Sequence, residues 1–232
     1  MKKFLLLSLC ILLGACKLEL TAPVKVSQLT SERQEKVSAD IFVDVGVCEE
    51  KERNKTTDFS ADRLEKTISK DAPNESNALK EIKQKIAYIF PTAVYHDCKA
   101  KMMESKAHFT LDIPLHHQAS KDEIYFLNDA ENFLSARIAS TLRKRIADTK
   151  KDVGDDLEFE LIAQIINDTS RSFKLMTGMT YIDDVPVITR VLTLKPTEKR
   201  KIRLSNVAVD VFLNPYQEKD AGTASFLWPM GD

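Results

Sequence analysis

The N-terminal segment decides which part of this sequence folds and in which compartment. Two lysines at positions 2 and 3 precede an almost unbroken apolar run, Phe4–Leu13, and the small residues Gly14 and Ala15 follow it. This order is typical of a secretory signal. Ten helical residues at about 1.5 Å each cover only about half of the hydrocarbon core of a bilayer, which disfavours a permanent spanning helix. We therefore expect residues 1–15 to be removed and the remainder to fold outside the cytoplasm.

The segment ends in Leu13-Gly14-Ala15-Cys16, which resembles the lipobox of bacterial lipoproteins. The resemblance implies cleavage between Ala15 and Cys16, with diacylglyceryl and N-acyl lipid on Cys16 and no other cofactor. Two or three acyl chains anchor a protein stably, whereas a single chain binds only marginally. The alternative is an ordinary signal peptide with a chance cysteine beside the cleavage site.

The residue after the cysteine bears on the choice of membrane. In the enterobacterial sorting scheme, an aspartate at this position retains a lipoprotein in the inner membrane, and here the position is Lys17. By that resemblance we expect the periplasmic face of the outer membrane, with the inner membrane as the alternative. Residues 16–36, the membrane-proximal segment, lack the Ser/Gly-rich tether of many lipoproteins, so the folded body is expected close to the bilayer.

Two cysteines remain once Cys10 leaves with the signal and Cys16 carries lipid, namely Cys48 and Cys98. Two thiols in an oxidising compartment predict one disulfide. Two free buried thiols and a metal site are the competing interpretations. A bridge across about 50 residues would stabilise the fold by roughly 4 kcal/mol on the chain-entropy estimate.

Composition excludes some classes of protein. Removing residues 1–15 takes two lysines from the 34 basic residues and leaves 35 acidic ones, so the mature chain has a net charge of −3 and gives no sign of nucleic-acid binding. The apolar fraction of 43% is that of a globular protein. The expected partners are the membrane, through the lipid anchor, and an envelope protein.

Hydrophobic periodicity predicts an α+β fold in two parts. The first, residues 37–151, is expected to be an α+β domain with three helices, at 60–70, 77–89 and 130–150. The second, residues 152–213, is expected to be an antiparallel β-sheet or small β-sandwich, followed by a C-terminal tail at 214–232. The predicted strands are a weak one at 18–26 and clearer ones at 37–45, 107–115, 124–127, 157–165, 173–182, 185–194 and 201–212.

Four histidines are the strongest candidates for chemistry, since His96, His108, His116 and His117 fall close together in the sequence. Clustered imidazoles can bind zinc, but these spacings match no zinc motif and no HExxH arrangement is present. We therefore predict no metal site and no catalytic residue. His108 is expected to make a local hydrogen bond, because it shares a strand face with Thr110.

Paired acids occur at Asp155-Asp156 and Asp183-Asp184. Both pairs lie in predicted turns, where aspartate is common for its local hydrogen bonds. No nucleophile elbow, phosphate-binding loop or dinucleotide fingerprint is present. The sequence thus predicts a protein that is not an enzyme, with a hydrolase or a metal-binding protein as the remote alternative.

Several segments together resemble an uncharacterised family of small proteobacterial and prophage-associated lipoproteins without an assigned activity. These segments are Ala39–Val45 running to Cys48, Ala93–Cys98, Ser105–Phe109, Asn167–Thr169, Tyr181–Pro186 and Ile202–Val207. The resemblance supports the disulfide and the two-part layout. The function expected first is a binding or scaffolding lipoprotein of the cell envelope. A phage-type superinfection exclusion or immunity lipoprotein is the alternative that the prophage resemblance raises.

Overall fold

The computed structural model describes residues 17–49, 75–101, 104–129, 133–153, 157–215 and 221–228. Within these ranges the chain forms eleven strands and four helices. In chain order they are β1 Lys17–Lys25, α1 Val26–Leu29, β2 Glu35–Val45, α2 Asn77–Ile89, β3 Val94–Lys101, β4 Glu104–His116, β5 Ile124–Leu127, β6 Leu134–Ile138, α3 Ser140–Val153, β7 Glu158–Ile166, β8 Phe173–Ile182, β9 Val185–Leu194, β10 Lys199–Leu204, α4 Asn206–Leu213 and β11 Gly222–Leu227.

All the described strands belong to one mixed sheet that curls into a half-barrel. The order is β11-β6-β5-β4-β2-β1-β7-β10-β8-β9, with β3 paired to β4 outside this path. β1 lies in the middle, antiparallel to β2 and parallel to β7. The sheet therefore continues from the part of the chain before residue 152 into the part after it.

The predicted α+β fold class is wrong, because the chain is mostly β and carries its helices around a single curled sheet. The expected C-terminal antiparallel sheet is not separate, since β7 pairs in parallel with β1 over nine residues, from Lys17–Glu158 to Lys25–Ile166. A parallel partner more than 130 positions away in the sequence leaves no local signal in the chain.

The long helix predicted at 130–150 is also wrong in its first part. Residues 134–138 form strand β6, which pairs with β5 and β11, and α3 begins only at Ser140. Leu134 and Ile138 are four residues apart, a spacing that suits one face of a helix and one face of a strand equally well. Ser135 is fully buried on the other face of β6, which fits a strand covered on both sides.

The strand predicted at 201–212 is divided in a similar way. β10 ends at Leu204, Ser205 caps the next turn by accepting a hydrogen bond from the Ala208 amide, and α4 follows. The tail docks on the body, since Phe226 and Leu227 are fully buried in β11. The helix predicted at 60–70 lies outside the described residues.

The core lies on the concave face of the sheet. On β1 every second residue from Leu18 to Val24 is buried, as the period of a strand requires. Large side chains from β5, from β11 and from helix α4 join them, namely Phe126, Phe226 and Phe212. The chain just after β11 contacts β8 through an isolated bridge, in which the Trp228 amide donates to the Met176 carbonyl at 2.9 Å.

Candidate functional site

The two predicted disulfide residues are joined. Cys48 follows β2 and Cys98 lies in β3, with their Cα atoms 5.7 Å apart. β4 separates these two strands in the sheet, so the bond ties the loop after β2 across it to the edge strand β3. The predicted lipidation and cleavage residues, Cys16 and Ala15, lie outside the described residues.

Beside the disulfide, a shallow groove of about 320 Å³ lies on the outer face of the β2–β4–β3 part of the sheet. Its lining combines two rings with acidic and basic side chains: Phe42, Asp97, Lys99, Glu104, Lys106 and His108. Alternation along β2 and β4 explains this lining, because Ile41, Val43, Ala107 and Phe109 point to the core and leave their neighbours on the outer face. We call this surface the outer groove.

Three rings stack across the three strands at the outer groove. The Phe42 and His108 ring centroids are 4.8 Å apart and nearly parallel, and His96 lies 5.0 Å beyond His108. His108 Nε2 is 2.8 Å from Asp40 Oδ1, and His96 Nε2 is 2.8 Å from Thr110 Oγ1. The rings are therefore held in position by cross-strand hydrogen bonds as well as by stacking.

Ion pairs flank this stack. Lys99 Nζ lies 2.9 Å from Asp97, and Lys106 Nζ lies 3.6 Å from Asp44 on β2. Lys99 is largely exposed, so its pair contributes little to stability and leaves the ammonium available to a partner. This surface combines fixed rings with charges of both signs. It therefore suits a polar partner that carries an apolar or planar group better than it suits a highly charged partner.

The predicted histidine cluster separates into two places. His96 and His108 lie together, whereas His116 contacts Asp122 at 2.6 Å and His117 contacts backbone carbonyls of Arg33 and Asn128. No group of three or more metal-ligating side chains occurs in the described part of the chain. His108 forms its hydrogen bond with the Asp40 carboxylate on the neighbouring strand β2. The Thr110 hydroxyl forms its hydrogen bond with His96 instead.

The paired acids at 183–184 form the turn between β8 and β9, with φ values of 48° and 66°. Asp183 is the acceptor for Arg200 and for the Lys201 amide. Both residues therefore serve the turn, as predicted from their type. The pair at 155–156 lies outside the described residues.

Phe42 is absent from the residues predicted for a site, although the sequence carries a signal for it. It stands between Asp40 and Asp44 on the polar face of a half-buried strand, where an aromatic side chain is unusual. Its contact with His108 depends on the register of β2 against β4, which pairs these two residues directly.

A second surface concavity, of about 220 Å³, lies where α2 and α3 meet β4 and β5. Arg145 of α3 crosses it and donates both to Glu123 and to the carbonyl of Ile89 at the end of α2. The Arg145 guanidinium holds the pKa of the Glu123 carboxyl below its usual value. These contacts join two helices to the sheet, which is a structural role.

Lys17, the first described residue, is fixed by a buried carboxylate. Its Nζ lies 2.9 Å from Glu160 on β7, and Arg203 on β10 approaches the same carboxylate at 3.2 Å. Burial alone would lower the pKa of Lys17, but the hydrogen bond and charge of Glu160 raise it above its ordinary value. The side chain and the backbone of Lys17 are thus both held in the sheet.

Comparison with known proteins assigns the chain to a family. The family described as Domain of unknown function (DUF7424) matches residues 18–225. The chain belongs to this family. No curated protein and no solved structure shows a significant match. In the described residues, no helix has the length and apolar character needed to cross a membrane.

Proposed function

We propose that this member of the DUF7424 family is an envelope lipoprotein held by acyl chains on Cys16 at the periplasmic face of the outer membrane. There it acts as a binding or scaffolding module for an envelope protein, and the outer groove is its contact surface.

The position of β1 carries this proposal. β1 begins at Lys17, the residue that follows Cys16, and it lies in the middle of the sheet rather than at an edge. Consecutive Cα atoms are about 3.8 Å apart, so lipid on Cys16 would be attached almost directly to the folded body. Such a protein is held against the membrane and can present only the surfaces that face the periplasm or a neighbouring protein.

The outer groove supports the assignment of a protein partner. Its opposite charges and stacked rings resemble the mixture of aromatic anchors and polar rim found at protein interfaces. It also lies at the end of the sheet where β1 begins, because Phe42 pairs with Glu19, two residues after Lys17. A partner that spans or lies on the same membrane could therefore reach it.

The experiment is cross-linking in intact envelopes followed by purification of the acylated protein. We expect a specific cross-linked partner with the wild type and a marked loss of it with Lys99→Glu or Phe42→Ala. Lys174→Glu, an exposed lysine of β8 away from the groove, is the matched control and should retain the partner. Failure to recover a reproducible partner, or equal recovery by both groove variants, would refute the proposal.

A further inference from the structure

We propose that the free edge of β9 pairs with the same strand of a second copy of this chain, so that the two sheets continue into one another across a two-fold axis at Val191. This surface is separate from the outer groove, which lies on β2, β3 and β4, whereas β9 ends the order of the sheet. The inference therefore depends neither on the lipid anchor nor on the envelope partner proposed above.

β9 is an edge strand with little protection against pairing. Among the described strands its one partner is β8. Proteins usually protect such an edge with charged side chains, proline or a bulge. The proline of β9, Pro186, lies next to the turn, and the irregular residue of β8, Met179 with a φ of 54°, lies beyond Gly178, which pairs with Thr189. From Thr189 to the end of the strand, the one charged residue is Arg190.

The backbone groups of three residues in this stretch point to the free edge. Val191 pairs with Met176 of β8, and the Met176 carbonyl accepts a hydrogen bond from the Trp228 amide on the side of β8 away from β9. In an antiparallel ladder, pairs that exchange hydrogen bonds alternate with pairs that do not, and the Met176–Val191 pair is of the second kind. The amide and carbonyl of Val191 therefore point away from β8, and by alternation so do those of Thr189 and Thr193.

The side chains of the same three residues form an exposed row. Leu192 and Leu194 are buried, so alternation places Thr189, Val191 and Thr193 on the opposite face of β9. All three are exposed, Val191 by 52%. β-Branched side chains of this kind favour a strand with neighbours on both sides. The edge thus offers both the backbone groups and the side chains that a further strand needs.

A second copy fits this row in one register. In antiparallel pairing about a two-fold axis at Val191, Val191 faces its own counterpart, and Thr189 faces Thr193 of the second copy. Cross-strand pairs of β-branched residues and of two threonines stabilise a sheet. Each outward-pointing residue then meets another of the same set, so their amides and carbonyls are paired across the axis.

Charge selects this register over its neighbour. With the axis at Val191, Arg190 faces Leu192 of the second copy. With the axis moved to Arg190, the two arginines would lie directly opposite, where like charges destabilise a sheet. Pairing about a two-fold axis also closes after two copies, because each copy has then used its β9 edge.

The contact is small, and this sets the strength of the dimer. A standard protein interface buries about 800 Å² on each partner. The pairing proposed here uses only the edge of β9 at residues 189–193. We therefore expect a weak dimer that forms at high protein concentration, and the test has to trap it.

Disulfide trapping reads out the register directly. The protein used comprises residues 16–232 with Cys16→Ser, which retains every described residue. Directly opposite residues that exchange hydrogen bonds have Cα atoms about 5.5 Å apart, a distance that suits a disulfide. We expect Val191→Cys to give a linked dimer on oxidation with copper phenanthroline, seen by non-reducing electrophoresis and lost on reduction.

Matched cysteines separate this register from random collision. Thr193→Cys alone should give little dimer, because its counterpart lies four residues away along the paired strand, about 13 Å. An equimolar mixture of Thr193→Cys and Thr189→Cys should give a linked heterodimer, identified by mass spectrometry of the joined peptides. Val207→Cys, an exposed valine of α4, measures trapping by collision alone.

Sedimentation velocity tests the association without an added cysteine. The sedimentation coefficient of the Cys16→Ser protein should rise with concentration. Val191→Lys, which places two ammonium groups opposite each other at the axis, should abolish this rise, whereas Val207→Lys should keep it. A coefficient that is independent of concentration, together with no more trapping at position 191 than at 207, overturns the proposal. Equal trapping by Thr193→Cys alone and by its mixture with Thr189→Cys overturns the register on which it depends.

Discussion

Removing the Cys48–Cys98 disulfide gives the clearest quantitative prediction. The bond closes a loop with a sequence separation of 50. On the chain-entropy estimate, a loop of this length raises the free energy of unfolding by about 4 kcal/mol, because the reduced unfolded chain has more freedom to lose. For a chain of this size each kcal/mol corresponds to about 2–4 °C, so the melting temperature should fall by about 8–16 °C.

The assay compares the non-acylated protein Cys16→Ser with the triple variant Cys16→Ser/Cys48→Ala/Cys98→Ala in urea and thermal unfolding. Reduced Cys16→Ser protein is the matched control and should behave like the triple variant. Without reductant, Cys16→Ser protein that comprises residues 16–232, and so lacks Cys10, should gain no alkylation mass. A loss of stability below about 1 kcal/mol would refute the entropic argument, since it lies far under the estimate for this loop length.

Two further predictions follow from individual contacts. Gly222→Ala should destabilise the fold by about 1–3 kcal/mol or more, because its Cβ would lie 1.9 Å from the Phe212 carbonyl oxygen. Gly46→Ala is the matched control and should leave the free energy of unfolding nearly unchanged, because no atom lies within 4 Å of its added Cβ. Equal losses of stability for the two variants in urea unfolding would contradict the close packing at Gly222. The pKa of Glu123 is held low by Arg145, so this pair stabilises the fold above the unfolded-state pKa and loses that effect as pH falls through the folded-state value. The stability gap between wild type and Glu123→Gln should therefore narrow as the pH is lowered below the ordinary glutamate value of 4.5, and a gap that stays constant would contradict this assignment.

Local patterns predict several elements well. The helix at 77–89 and the hairpin strands at 173–182 and 185–194 have the predicted bounds, because a clear helical period marks the helix and a two-residue turn separates the strands. The predictions fail where the pattern is ambiguous. Leu134 and Ile138 satisfy the helical and the strand period together, so only pairing with β5 and β11 decides between them.

Long-range pairing sets the larger limit on the prediction. The parallel pairing of β1 with β7 joins the two parts of the sheet. No turn or residue spacing near either strand indicates this pairing. The candidate site shows the same limit, because only part of it could be predicted from the sequence. The two cysteines follow from counting, whereas the Phe42–His108–His96 stack depends on the registers of three strands at once. Asn167 is a related case, since it is a polar residue whose side chain is fully buried and donates to the carbonyls of Arg171 and Leu194.

The measurement that bears most directly on the proposed anchor is metabolic labelling with a palmitate analogue, combined with membrane fractionation. Wild-type precursor should be labelled, lose residues 1–15 and fractionate with the outer membrane. Cys16→Ser should lose the label and the membrane association, while Lys17→Ser, which keeps the cysteine, should retain both. Label and membrane association that persist in Cys16→Ser would contradict the account.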